Sequence, residues 1–300
     1  GLQVKQHPHH PEKMFKYADI LKNGKDLLSK RYKFERKVKV ETKAPDGVKF
    51  TSEGKLGASG FEGKLAGEYA AGNLKLNKLE LASAGTLTGE LTLSGLADGV
   101  ELKFEAVEGL RSSGALSSGV LSGSYTTDAI RADVGVDLIN GPKVSASATT
   151  KVEGVIVGGS AEFDASASAL SDFGVALGYD GSGYRVAAVT SKLDKVTVGL
   201  HHKVDSNVGV AAGASFGLPR GKDKDGKDIA TDPFTYEVGG SYKLGADSSV
   251  QAKYSSNGKI SANYQAKLNT CATLTLAAGV DAKALGSDKH DLGLTLAFSG

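Results

Sequence analysis

Several clusters of side chains in this 300-residue sequence have the residue types that chemistry needs. His7, His9 and His10 lie together in GLQVKQHPHHPEK, and imidazole is the commonest metal ligand. No second fixed cluster completes a coordination shell, and Pro8 and Pro11 break the segment, so residues 1–13 read as a polar, extended tail. GASGFEGK, residues 57–64, has the glycines of a phosphate loop, but their spacing before Gly63-Lys64 is wrong and no Ser or Thr follows Lys64. DKDGKD, residues 223–228, has the acids of part of a calcium loop without its ligand spacing or its closing Glu. His201, His202 and His290 form no pair with an identifiable nucleophile. The expectation is a chain with no catalytic residues, no metal ligands and no cofactor.

A second kind of chemistry is the collective field of charges spread along the chain. Glu35, Lys37, Lys39 and Glu41 occupy alternate positions, as do Glu101, Lys103 and Glu105, and then Arg131, Asp133 and Asp137. Arg185, His201, Lys203, Glu237, Lys243, Lys253 and Lys267 continue the series. Charges so far apart in sequence act together only if the fold turns them toward one space.

Composition narrows what that space is. Hydrophobic residues make up 40% of the chain, yet there are 40 Gly, no Trp and one Met. Interiors are close-packed, and a soluble sandwich of this length would fill its core with large side chains. Net charge is only +2, which argues against a nucleic-acid partner, since that would want a clustered basic footprint. The single Cys271 excludes an intrachain disulfide. No apolar run reaches the roughly 18 residues of a membrane helix, and no secretory signal is visible at the N-terminus. A membrane barrel would still pass this test, because its signal is alternation over about ten residues at a time.

The positioning elements follow from periodicity. Residues 14–31, MFKYADILKNGKDLLSKR, predict a helix with Tyr17, Ile20, Leu21, Gly24, Leu27 and Leu28 at helical spacing on one face. Tyr17, Ile20, Leu21 and Leu27 are its expected docking residues. Asp19 and Asp26 count against a mitochondrial presequence, which is poor in acid. Gly24 in mid-helix costs up to about 1 kcal/mol relative to Ala, so the helix needs a surface to lean on. From residue 32 to 300 the chain reads as strand and turn. Ile130/Ala132/Val134/Val136/Leu138 and Leu292/Leu294/Leu296/Phe298 are typical alternations, punctuated by DGV, INGP, DGSG and SSNG. Segmentation gives about nineteen strands, with one long connection at 217–233.

Three features turn alternation into an all-β transmembrane barrel. The apolar face continues through more strands than an open twisted sheet holds, which is about ten. Strand lengths of about nine to eleven residues match a tilted membrane crossing. The apolar face is rich in Gly and Ala, around which lipid packs but a protein core would leave cavities. An open edge in hydrocarbon leaves backbone groups unpaired at several kcal/mol each, so the sheet must close. The ionic face then looks inward at water.

The residues also resemble a known family. YADILKNGKDLLSKRY, residues 17–32, is similar to the N-terminal helix of the voltage-dependent anion channels, the mitochondrial porins, through Tyr17, Ala18, Asp19, Lys22, Asp26 and Lys30. APDGVKFTSEGK (44–55) resembles the hairpin that follows it. Residues 242–268 resemble the C-terminal porin signature through Tyr242, Asp247, Ala252, Lys253 and Tyr264, and LTLAAGVDAKALGSDKHDLGLTLAF resembles the last two strands. The resemblance implies 19 strands with the first and last in parallel, and the amphipathic helix lying inside the pore. It implies an outer-mitochondrial-membrane location and passage of ATP, ADP, phosphate and other metabolites, with nucleotide passage associated with Lys22 and Lys30. The family's glycine-rich link after the helix is replaced here by Arg31-Tyr32-Lys33-Phe34, which bears on helix mobility and voltage gating. A membrane-facing Glu of some relatives has no certain counterpart: Glu80 is near, but the alternation shifts phase between Leu76 and Leu79.

The resulting expectation is passive diffusion through a water-filled lumen, with weak anion preference and voltage gating. Lys22, Lys25 and Lys30 of the helix, with Lys37, Lys39, Arg185, Lys203, Lys253 and Lys267 of the wall, form the expected anion pathway. Glu35, Glu41, Glu101, Glu105 and Asp137 keep the bias mild. The expected partners are membrane lipid, the permeants, and a second copy of the chain in a homo-oligomer. A protein-import translocase barrel is the alternative, and a soluble β-rich structural protein a third reading.

Overall fold

Pairing every strand with the next, and the last with the first, is what this sequence does with its alternations. The structure is a computed structural model and describes residues 14–57, 60–109, 116–219, 231–286 and 290–300. His7, His9, His10 and DKDGKD lie outside the described residues. Among the described residues nineteen strands form a single sheet. They are β1 (Arg36–Lys43), β2 (Lys49–Gly57), β3 (Gly60–Ala71), β4 (Leu74–Ala82), β5 (Thr86–Ser94), β6 (Val100–Gly109) and β7 (Leu116–Thr126). Then come β8 (Ile130–Asp137), β9 (Lys143–Val152), β10 (Val155–Asp164), β11 (Ala169–Asp180), β12 (Tyr184–Ser191) and β13 (Lys195–Lys203). The remainder are β14 (Val208–Gly217), β15 (Thr235–Lys243), β16 (Ser248–Ser255), β17 (Lys259–Lys267), β18 (Ala272–Asp281) and β19 (His290–Ser299).

Consecutive strands are antiparallel, as in β8–β9 with Val134 opposite Ala146. β1 and β19 run in parallel, with Arg36 opposite Leu294 and Glu41 opposite Ser299. An odd number of up-and-down strands leaves the first and last pointing the same way, so closure requires one parallel pair. Tight turns make the rest possible. In Ala44–Val48 the backbone closes from Ala44 N to Val48 O at 2.8 Å, the Asp46 carboxylate accepts from Val48 N at 3.2 Å, and Gly47 takes φ +90°, where a side chain would be strained.

The register assigns every alternating residue to one of two faces. Val120, Asp137 and Lys143 share one row and Leu121, Val136 and Val144 the next. The second kind of row carries the apolar side chains and is uncovered: Phe61 is 71% and Leu292 77% exposed. A soluble protein rarely leaves contiguous apolar surface of more than a few hundred Å², whereas this one wraps the whole molecule. The charged row faces the lumen, where Lys37 meets Glu53 at 2.6 Å and Arg131 meets Asp133 at 2.8 Å.

Two irregularities reset the phase. Register slips between Gly67 and Tyr69 on β3 and between Leu76 and Lys78 on β4 keep Leu74, Leu76, Leu79 and Leu81 all on the outer rows. Glu80 is thereby placed on an inner row, 3.2 Å from both Lys64 and Lys78, not facing lipid. Outward aromatics mark both rims. The tilted rings of Tyr179 and Tyr184 lie 5.9 Å apart where β11 turns into β12, and those of Tyr236 and Tyr254 6.2 Å apart where β15 begins and β16 ends, at the opposite end.

The helical segment is shorter and more broken than residues 14–31. A 3-10 turn spans Tyr17–Asp19 and the α-helix α1 spans Lys22–Ser29. Ile20 and Leu21 form the joint between them, and both pack on the wall, so docking sets the bend there.

The two faces predict opposite responses to the same charge. Val134→Arg, on an outer row, should lower stability in urea unfolding from lipid vesicles by about 2–4 kcal/mol. Ser147→Arg, on the inner row opposite Asp133, should change it little.

Candidate functional site

The lumen has a floor of its own on one side, built from residues too small to fill it. Along β10 and β13–β15 the inward positions include Gly158, Gly199, Gly209, Gly213 and Gly239. A Cβ at Gly199 would lie 3.0 Å from Leu21 Cδ2, and one at Gly158 3.0 Å from Tyr17 Cδ2. The helical segment lies in this bed. Ile20 is 1% exposed and packs with Ile156, Ala176 and Ala187, flanked by Phe15, Tyr17 and Leu21. Leu27 and Leu28 pack with Ala211 farther along. Gly24 faces the wall too, its hypothetical Cβ only 3.1 Å from Leu200 O, which accounts for a glycine in mid-helix.

Both ends of the segment are tied to the wall. Thr149 Oγ1 donates to Phe15 O at 2.7 Å, and the Arg185 guanidinium lies 4.5 Å over the Phe15 ring. At the other end Arg31 takes φ +70° and donates to Ser249 Oγ at 3.2 Å. Tyr32 is buried beneath Lys253, whose Nζ is 5.2 Å from the ring centroid, and Phe34 lies 4.6 Å beneath Lys259. Burial, and secondarily the charge of Glu237, pushes the Tyr32 hydroxyl up to about 12. The segment Arg31-Tyr32-Lys33-Phe34 is therefore packed along the wall up to Glu35, whose carbonyl accepts from Leu294 N at 2.9 Å where β1 begins.

The charges expected to steer anions fall into two groups. Lys22 pairs with Asp19 at 3.3 Å and Lys30 with Asp26 at 2.6 Å on the lumen side of the helix, both half-exposed or more. Lys37 pairs with Glu53, Lys39 with Glu41 at 2.6 Å, and Lys253 with Glu237 at 2.8 Å. Lys25, Lys203 and Lys267 are exposed and have no ion pair among the described residues. Arg185 forks onto Asp180, Nε to Oδ1 at 3.1 Å and Nη2 to Oδ2 at 2.8 Å, and Lys151 reaches the same carboxylate at 2.8 Å. Lys22, Lys151 and Arg185 line one cavity of about 330 Å³ with Asp19 as the carboxylate among its lining residues. In this cavity, as in one of about 680 Å³ lined by Lys16, Lys103 and Arg131, the helical segment and the wall bring basic groups together. Lys203 and Lys267 are part of neither.

Sequence reasoning missed the glycine bed and the carboxylates Asp180 and Glu237 as counter-ions. The bed had a signal: inward positions that carry charge on most strands carry Gly at 199, 209, 213 and 239. The counter-ions had none, since Lys151 and Asp180 meet only through the register of β9 to β11.

Comparison with known proteins agrees with this geometry. The family model described as eukaryotic porin matches residues 13–293. The chain is 27% identical to a mitochondrial outer membrane protein porin of Candida albicans, over 94% of this chain and 98% of that one. It is 25% identical to a voltage-dependent anion-selective channel of Drosophila melanogaster, over 93% and 97%. It is 24% identical to a mitochondrial outer membrane protein porin of Neurospora crassa, over 94% and 98%.

The bed predicts how to free the helix. Ile20→Ala should remove about 2–4 kcal/mol of docking energy, and Gly199→Leu should displace Leu21. Both should sharpen the spectrum of a nitroxide at Lys25, while Asn23→Ala, on the exposed face, should leave it broad.

Proposed function

The chain belongs to the eukaryotic porin family, and from that premise we propose that it is a channel of the mitochondrial outer membrane through which small metabolites and ions diffuse passively. The reading rests on one observation above all: a closed wall of nineteen strands that is apolar outside and ionic inside. Barrels of roughly sixteen to eighteen strands already leave an aqueous channel, so this one keeps a lumen with a helix on its wall. The family is one of pores, and we assign the chain no catalytic step.

The permeants of this proposal are phosphate-bearing and carboxylate anions, ATP and ADP among them. Lys22, Lys25 and Lys30 present ammonium groups to the lumen, and Lys22, Lys151 and Arg185 share one cavity. Selectivity is weak in this account, because most wall lysines already have a carboxylate within ion-pair distance. Counter-ions in the lumen screen what remains over about 8 Å at 0.15 M salt, so preference fades as salt rises. Voltage gating, which the name of a relative specifies, belongs to this reading, and the helical segment itself is tied to the wall at Phe15 and at Arg31.

Planar-bilayer recording tests the steering role. Lys22→Glu with Lys30→Glu inverts the sign at both positions and should move the reversal potential in a KCl gradient toward cation preference. The shift should shrink at high salt, and an unchanged potential would remove these lysines from the mechanism.

A further inference from the structure

On the outer rows of this barrel a full charge is rare, and Arg36 is one. It alternates with Val38 and Val40, and its register partners Leu56 and Leu294 are both outward. Among the described strands the other charged residue on an outer row is Glu108, at the very end of β6 beside residues outside the description. Arg36 is exposed and makes no hydrogen bond or ion pair among the described residues. A guanidinium on a hydrocarbon-facing wall is costly unless its head reaches the interface and meets an anion. Arg36 opens β1, and Leu56 lies one residue from the end of β2, so the head lies near the rim.

The surface beside it is shaped. Gly240, Ala252, Ala262 and Ala278 are direct cross-strand neighbours on β15 to β18 and form a row of small outward residues. The adjacent row is Tyr242, Val250, Tyr264, Leu276 and Leu294, and it leads on to Arg36. On the other side stand Val238, Tyr254, Ile260 and Val280. The small row is thus a furrow between two rows of large side chains, about 14 Å long at the spacing of strands. A groove of about 1030 Å³ follows it, with Arg36 among its lining residues. Because the strands tilt, the row that passes through Arg36 begins at Val208, the first residue of β14, at the opposite rim.

We propose that this furrow and Arg36 form a phospholipid site, with the lipid phosphate on the guanidinium and an acyl chain along Gly240–Ala278. The small row alone would accept any hydrocarbon; the cation, which has no carboxylate partner among the described residues, selects a lipid with an anionic head. A free phosphate would satisfy the charge but leave the furrow irrelevant. The proposal needs the outer face to meet lipid and does not depend on what the lumen passes.

Native mass spectrometry of the full chain in detergent, titrated with phosphatidylglycerol, tests it. Arg36→Gln should weaken retention of one lipid about tenfold, and Lys37→Gln, the inward neighbour, should not. Ala262→Leu, which fills the furrow without touching the charge, should also weaken it. Diacylglycerol of the same chains should bind wild type and Arg36→Gln alike, and millimolar inorganic phosphate should not displace the lipid. Equal phosphatidylglycerol retention by wild type and Arg36→Gln would overturn the proposal. Displacement by inorganic phosphate would overturn its lipid source, and an unaffected Ala262→Leu its furrow. Single-channel conductance of each variant confirms that the barrel has formed, since all three positions lie on or beside an intact wall.

Discussion

Backbone hydrogen bonding in a medium without water is the constraint from which this structure follows. Every N–H and C=O in hydrocarbon must find a partner within the protein, because an unpaired group costs several kcal/mol. A sheet meets that demand only when it has no edge. With nineteen strands alternating in direction, the last edge is closed by β1 lying parallel to β19. The slanted bonds of a parallel pair are the geometric consequence of an odd count. Closure in turn separates two solvents, and the period of two along each strand sorts side chains between them.

The separation explains the composition. Buried large hydrophobic residues are few and cluster where the helix meets the wall, at Ile20, Ile156, Leu27 and Leu28. Elsewhere the molecule has lipid on one side and water on the other, so Gly and Ala cost it no cavities. Inside, charge is tolerated because water and opposite charge are both at hand: Arg185 and Lys151 share Asp180, and Lys253 shares Glu237 with Ser255. The same wall gives up its charges where the helix lies, at Gly158, Gly199 and Gly239, so that side chains of the helix replace those of the wall. The helical segment adds bulk and Lys22, Lys25 and Lys30 to one side of the lumen.

Much of this was legible in the residues. Ile130 to Leu138 and Leu292 to Phe298 alternate without interruption, and their faces follow from the first apolar residue. Tyr17, Ile20, Leu21, Gly24, Leu27 and Leu28, which helical spacing picks out, all lie against the wall, although only Gly24, Leu27 and Leu28 belong to the α-helix. Less was legible where tertiary contact overrides local pattern. The break at Ile20–Leu21 comes from fitting the wall, not from a helix-breaking residue. The inward placement of Glu80 depends on two slips of register that show in sequence only as a change of phase. The packing of Tyr32 under Lys253 and of Phe34 under Lys259 joins residues more than two hundred positions apart, which no local rule reaches.

The central claim is the assignment of solvents to the two faces, and adjacent positions on one strand test it most directly. Nitroxides placed singly at Leu294 and Thr295 of β19, in the barrel reconstituted in lipid vesicles, can be relaxed by dissolved oxygen or by a water-soluble nickel complex. The account predicts that the label at Leu294 responds to oxygen and the label at Thr295 to nickel. The reverse pattern, or equal nickel access at both, would contradict it.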